Sequence, residues 1–356
     1  MKKILYIVPH RYNRSPGQRF RCEHFIPILQ KNGFSITYSN LLSAWDDKMF
    51  YKKGKYAAKL YILLKSFVVR FYDFLRAWNY DYIFIYREAI MVGTVFFERL
   101  FSFTNAKILY DFDDSIWLND TSEGNRNLRW LKNPAKTGTI VAIANTVIVG
   151  NNYLAQYARK FNHKVIVIPT TIDTEYHKRT TIKHHTDTVC IGWTGTSTTL
   201  KHFEEIIPVL MILKQKYCDK IYIKHINNIH YEHKELQIKS ILWSFNNEIS
   251  ELEEFDIGIM PLPNDEWTKG KCGFKGLQYM SLEIPPVMSG VGVNTEIIQH
   301  GENGYIANTT DEWIVCLSLL IEDALLRQKI GKAARKTIEE RYSIKSQQEK
   351  YLKLFD

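Results

Sequence analysis

Residues 270–290 read GKCGFKGLQYMSLEIPPVMSG. Two lysines and three glycines fill the first seven positions, FKGLQYMSL then carries apolar residues at helical spacing, and PPVMSG follows as a short apolar run. A helix that feeds a strand is one step of an α/β fold. The fold therefore turns on whether the rest of the chain repeats that step.

Outward from this stretch it does. Short β-branched runs alternate with longer helical patterns: KILYIVP, FSITYSN, YDYIFIYR, AKILYDF, TVIVGN and KVIVIPT in the first half, then VCIGWTG, KIYIKHIN, ILWSF, FDIGIMPL, PPVMSG and GYIAN. Between them lie stretches such as FRCEHFIPILQKNG, predicted as one helix closed by a C-cap glycine. Such alternation predicts parallel sheets with helices on both faces. Residues 173–187, DTEYHKRTTIKHHTD, are polar and without period, the composition of a linker. The expectation is two Rossmann-like, doubly wound domains, 1–172 and 188–342, with the closing helix 343–356 joined to the first. Two sheets joined by a linker leave a central cleft, a preferred place for a ligand.

The bulk properties agree. A chain of 356 residues suits two domains of about 150 residues each. Five scattered cysteines (Cys22, Cys190, Cys218, Cys272, Cys316), with no CxxC pair, argue against a zinc site or a disulfide framework and for a reducing cytoplasm. The apolar run ILYIV near the start is shorter than a signal h-region of ~7–15 residues, and no uncharged run approaches the ~18 residues of a membrane span. The net charge is +9, and residues 52–78, KKGKYAAKLYILLKSFVVRFYDFLRAW, hold seven Lys/Arg against one Asp. This basic amphipathic segment fits two settings: a helix packed on a sheet with snorkelling lysines, or an anionic membrane surface. Nucleic acid is a poorer partner, because the charges sit on an aliphatic-rich segment and no nucleic-acid module appears elsewhere.

In an open parallel sheet, ligands sit beyond the C-terminal strand ends, where helix N-termini offer N–H groups to anions. Three loops there carry suitable residues. HRYNRSPGQRFR follows the first strand, with Gly17 in a tight turn and Arg14, Arg19 and Arg21 for charge. GWTGTSTTLKHFEE opens the second half, with Gly195, Thr196 and Ser197 as small donors before Lys201. The third is 270–290, where Lys271 and Lys275 stand four apart at a helix start and glycines let backbone come close. Neither Walker A nor GxGxxG is present, so neither an ATPase nor a classical dehydrogenase is indicated. At the end of the fourth strand, ILYDFDDSIW crowds Asp111, Asp113 and Asp114. These carboxylates either act on a substrate, as base or charge stabiliser, or serve as a helix cap and a partner for Arg87.

The ordered set VIVGNNYLAQYA, VIVIPTTIDTEYH, IGWTGTSTT, FDIGIMPLPNDEW, the lysine-rich helix start, PPVMSGVGVNTEIIQHGENGYIAN and LRQKIGKAARKTIEERYS resembles the GT-B glycosyltransferases, particularly the family-4 retaining enzymes. The resemblance spans nearly the whole chain. It implies transfer of a sugar, with retention, from a nucleoside diphosphate sugar (a UDP- or GDP-sugar, no cofactor and no metal) to a hydroxyl acceptor, such as a lipid-linked glycan in surface polysaccharide assembly. It implies a cytoplasmic protein, peripheral on the inner face of the membrane. Lys275, with Lys271 or the Gly195–Ser197 loop, would hold the donor diphosphate, and Asp113, Asp114 and Lys275 would be the catalytic groups. Arg19, Arg21, Arg87 and Asp111 would line the acceptor side, with Gly17 on the donor side. Gln278 stands where such enzymes carry the second of two glutamates, which bonds the ribose. Gly270 stands at the first, leaving Glu266 or Asp265 as the nearest carboxylate. The departure keeps two alternatives open: a nucleotide-sugar 2-epimerase of the same fold, or a degenerate sugar-nucleotide-binding or glycan-binding protein.

Overall fold

A computed structural model describes residues 1–118, 123–180 and 188–356. All twelve apolar stretches form strands: β1 (Lys3–Val8), β2 (Ser35–Asn40), β3 (Tyr82–Tyr86), β4 (Lys107–Phe112), β5 (Thr146–Val149), β6 (Val165–Val167), β7 (Val189–Thr194), β8 (Ile221–Asn227), β9 (Lys239–Leu242), β10 (Ile257–Met260), β11 (Pro286–Met288) and β12 (Tyr305–Ile306). They make two parallel six-stranded sheets, ordered β2-β1-β3-β4-β5-β6 and β12-β11-β10-β7-β8-β9. Helices cover both faces, which is why the strands read as continuous apolar runs rather than as alternation.

The chain divides into two compact units, Met1–Thr171 with Gln347–Asp356, and Ile172–Ser346. In the first, Tyr6, Ile7, Phe84, Ile85 and Val147 are fully buried, and the chain end locks on: Tyr351 stacks on Phe25 at 3.8 Å, and the Phe355 carbonyl accepts from Tyr82 Oη at 2.7 Å. In the second, Ile191, Ile257, Ile259 and Val287 meet Leu210, Leu213, Leu317 and Leu320.

Two expectations change. The helix predicted across residues 20–33 is broken into Pro16–Arg21, the 3-10 turn Glu23–Phe25 and Ile26–Lys31. Pro27 has no N–H to continue a helix and sits instead at the start of a new one. Within the polar stretch 173–187, residues 173–180 pack in the second unit. Tyr176 stacks on Phe245, the Thr180 hydroxyl donates to Glu253 at 3.1 Å, and Arg335 donates to the carbonyls of Thr174 and His177. Residues 181–187 lie outside the described residues. Among the described residues no helix is long and apolar enough to cross a membrane.

Each sheet reverses strand order once, between β1 and β3 and between β7 and β10. Crevices beyond the strand ends at such reversals are the places where doubly wound sheets take ligands. Every loop singled out in the sequence borders one of these reversals or follows a strand beside it.

Candidate functional site

In the second unit, β10 leads through a short turn to a capping box in which Asp265 accepts from the Thr268 N–H at 2.7 Å. The chain then turns at Gly273, whose φ of +69° is a left-handed conformation open to glycine, and starts the helix Phe274–Ser281. A Cβ on Gly276 would fall 2.4 Å from Met288 Sδ, so this glycine lets the helix lie on β11. The glycines were expected to admit a ligand. The structure assigns Gly273 and Gly276 to turn geometry and packing.

Lys275 stands in the first helical turn with Nζ 5.6 Å from the Trp193 ring centroid, at the end of β7. Lys271 Nζ lies 6.0 Å from the Trp267 ring centroid. Both bear on His202, which follows the β7 loop. Burial first, then Lys271, Lys275 and Lys201, push the imidazole pKa down to about 4, with Asp265 the one carboxylate opposing them. His202 is 3% exposed, and its Nδ1 has no hydrogen-bond partner. The charges of three ammonium groups thus act on one neutral imidazole near the reversal between β7 and β10, where the helix Phe274–Ser281 starts. That arrangement can take an anion of more than one charge. His202 went unremarked in the sequence, where its signal was only its place after Lys201.

The β7 loop differs from expectation. Gly195 N–H donates to the Ile226 carbonyl at 2.9 Å, Thr196 N–H to Thr199 Oγ1 at 3.0 Å and Ser197 N–H to Asn228 Oδ1 at 2.7 Å. These donors are used in folding the loop, and the helix behind it, Leu200–Glu204, is a single short turn. Gly195 is required because a Cβ there would overlap Trp193.

The residues at the glutamate positions also turn elsewhere. Gln278 is 3% exposed and donates to Glu248 Oε1 at 3.2 Å, within reach of the His177 ring, rather than facing a ribose. Glu266 pairs with Lys269 at 2.6 Å, and Asp265 caps its helix.

In the first unit the carboxylates are paired. Arg87, after β3, has a left-handed φ of 61°, a conformation costing about 1–2 kcal/mol in a non-glycine residue. Its N–H donates to the Asp111 carbonyl at 2.8 Å, and its carbonyl accepts from Tyr110 Oη at 2.7 Å. Held so, its guanidinium meets Asp113 Oδ1 at 2.7 Å and Asp114 Oδ2 at 2.6 Å, and Tyr86 Oη adds a bond to Asp113 at 3.0 Å. Gly17 lies against this cluster: a Cβ would fall 2.5 Å from Tyr86 Oη and 3.0 Å from Asp113 Oδ2. The Asp114 and Arg87 side chains keep 22% and 32% of their surface exposed, so both can meet a substrate.

Arg19, Arg21 and Asp111 do not line an open side. Arg21 donates to both Asp111 oxygens, at 3.1 and 2.6 Å, and to the Ile168 carbonyl, with 1% and 0% exposure for the two side chains. Burial pushes the Asp111 carboxyl up to about 6 against the pull of Arg21, leaving an ionised internal pair at neutral pH. Arg19 is buried over the Phe20 ring. Nearer the surface, Arg11 and Arg14 both donate to Asp47 at 2.9 Å. Among the described residues no three His, Cys, Asp or Glu side chains are grouped to hold a metal ion.

No family model and no curated protein matches the chain by sequence. Solved structures do match over its length. A glycosyltransferase from Rickettsia africae aligns at TM-score 0.71 and 15% identity, over 99% of this chain and 97% of its own. A sucrose-phosphate synthase from Thermosynechococcus elongatus gives 0.70 and 11%, over 100% and 98%. The Anabaena protein HepE, in complex with UDP and glucose, gives 0.64 and 14%, over 99% of each chain. With the two parallel sheets, this likeness shows the two-domain α/β fold of the GT-B glycosyltransferases.

Proposed function

We propose that this chain is a retaining glycosyltransferase that moves a sugar from a nucleoside diphosphate sugar to a hydroxyl acceptor. The observation that carries the reading is the placement of Lys275 in the first turn of Phe274–Ser281, against Trp193 at the end of β7, with Lys271 just before it and both charges felt by the buried His202. A diphosphate gains charge as its bond to the sugar breaks. Lys271, Lys275 and the first N–H groups of Phe274–Ser281 stabilise that charge more in the transition state than in the ground state, which is the source of acceleration. In the first unit, Asp114 takes the acceptor's hydroxyl proton while Asp113 and Tyr86 hold Arg87 in place. HepE was solved with UDP and with UDP-glucose, which favours UDP over GDP as the nucleotide here. The acceptor we favour is a lipid-linked glycan, met at an anionic membrane surface on the cytoplasmic side through residues 52–78.

Thermal unfolding with UDP, GDP, ADP and CMP tests the donor site, since a ligand at 100 times its dissociation constant adds about 2.7 kcal/mol. Stabilisation by one diphosphate, followed by sugar transfer with the α or β configuration of the donor kept, is the expected result. Indifference to every diphosphate overturns it. A second reading, a sugar-nucleotide-binding protein without turnover, is favoured by the inward placement of Gln278. It predicts the same stabilisation with no transfer to any acceptor.

A further inference from the structure

The helix Tyr56–Arg76 is amphipathic with its faces reversed. Each of its exposed residues is Tyr, Ala, Leu, Val or Phe. Leu60, Leu64, Val68, Phe71 and Leu75 lie three or four apart on one stripe, each more than half exposed, with Tyr61 and Tyr72 along its edge. The opposite, buried face holds Lys59, Ser66, Arg70 and Asp73 beside Ile62. Those polar groups are satisfied inside: Lys59 donates to Asn125 at 2.7 Å, and Arg70 donates to Asp73 at 2.8 Å and to the Val8 and Ala89 carbonyls.

This changes the part played by the charges. Of the seven basic residues in 52–78, Lys59, Lys65, Arg70 and Arg76 have partners within the unit. Lys52, Lys53 and Lys55, at the N-terminal end, are the exposed ones. Next to the stripe, an apolar furrow of about 370 Å3 runs against the helix Phe96–Ser102, walled by Phe67, Val68, Phe71, Leu75, Phe96 and Phe97. A soluble protein rarely shows water such a surface without a partner for it.

The surroundings say which partner. Asp73 and Glu98, the acids of these two helices, are buried, while Lys52, Lys53, Lys55 and Arg99 are exposed. A second copy brought face to face would set cations against cations. An anionic lipid surface meets the cations with headgroups and the stripe with acyl chains. The tyrosines and Trp78, half exposed at the end of the stripe, suit the headgroup level.

We propose that Tyr56–Arg76 lies in the interface of an anionic bilayer with Leu64, Val68 and Phe71 inserted and an acyl chain in the furrow, held by burial of apolar surface more than by charge. The inference rests on the membrane reading above and specifies its chemistry. The test is co-sedimentation of the full chain with vesicles of phosphatidylcholine and phosphatidylglycerol. It compares wild type, Leu64→Gln/Val68→Thr/Phe71→Gln, and Lys52→Gln/Lys53→Gln/Lys55→Gln, each with its melting temperature measured.

Wild type is expected to stay bound at about 1 M salt, where the Debye length is ~3 Å. The apolar triple variant, with its melting temperature kept, should lose binding about tenfold or more, and the basic one less. Binding that salt abolishes, or an apolar variant that binds like wild type, overturns the inference and leaves the membrane reading standing. Failure of wild type to bind any vesicle removes both. A wild-type dimer that the apolar triple variant splits, without vesicle binding, assigns the face to a second copy and also overturns the inference.

Discussion

The two strand-order reversals occupy equivalent places in similar sheets and gather different charges. Beside the first reversal the ions are paired: Arg21 with Asp111, Arg87 with Asp113 and Asp114, Arg11 and Arg14 with Asp47. In the second, Lys271, Lys275 and Lys201 all lower the pKa of the buried His202, while Asp265 raises it. A paired cluster is rigid and keeps its shape whatever binds. Cations gathered at a helix start suit a developing negative charge. On the function proposed above, the first unit positions the acceptor and the second stabilises charge.

The largest effect should come from breaking the pairing. Asp111→Ala leaves Arg21 charged and buried, and should destabilise the protein by about 3–5 kcal/mol in urea unfolding. A loss under about 1 kcal/mol shows that water reaches the pair and that the first unit is not the rigid one. Next, Lys275→Ala should lower turnover on the order of 10²–10³-fold while leaving the melting temperature nearly unchanged. Retained turnover ends the case for charge stabilisation at this helix start.

Acid should separate the units. His202 and His225 have pKa values pushed down to about 4 by burial, helped at His202 by the lysines. Their unfolded forms bind protons from about 6.5 downward, so the unfolded state holds more protons between pH 6.5 and 4, and stability falls across that window. In the first unit Asp111, raised to about 6, shifts the balance the other way. Burial would raise Asp47 as well, but His10, Arg11 and Arg14 hold it at about 2, so its contribution persists to below pH 3.8. Peptide-resolved hydrogen exchange near pH 5 should show the second sheet opening before the first, and the reverse order contradicts the electrostatic assignment.

The smallest signal sharpens the comparison most. Pyrophosphate or UDP bound among the lysines offsets their field on His202, whose pKa should rise by about one unit in an NMR titration. Ligand binding that leaves His202 unmoved places the anion elsewhere.

Much of the fold was legible because its signals are local. Strand runs such as KILYIVP and FDIGIMPL are buried on both sheet faces and carry their own apolar signature. Lys271 and Lys275 were legible as two cations flanking a helix start, although the helix begins at Phe274 and leaves Lys271 in the preceding turn. The pairing of Arg87 with the aspartates after β4 was one of two readings the sequence left open, whereas the partners of Gln278 and Asp111 were not legible, since each comes from a different crossover. The pairing of Arg87 with Asp113 joins the ends of two neighbouring strands that are separated in the chain by a helix and its loops. Nor could the helical period of 52–78 show which face looks inward, because period gives two faces and not the environment of either.

The sequence by itself determined twelve strands, their division into two doubly wound halves and a cationic glycine-bounded helix start, because dihedral preference and apolar period act over a few residues. Only the tertiary structure decided which ions neutralise one another, that the β7 loop uses its own N–H groups, that the buried His202 feels the charge of the lysines, and that the longest described helix turns its polar side to the core. Those outcomes depend on groups brought together across the sheets, where Coulomb attraction and desolvation are set by distances that chain order does not contain.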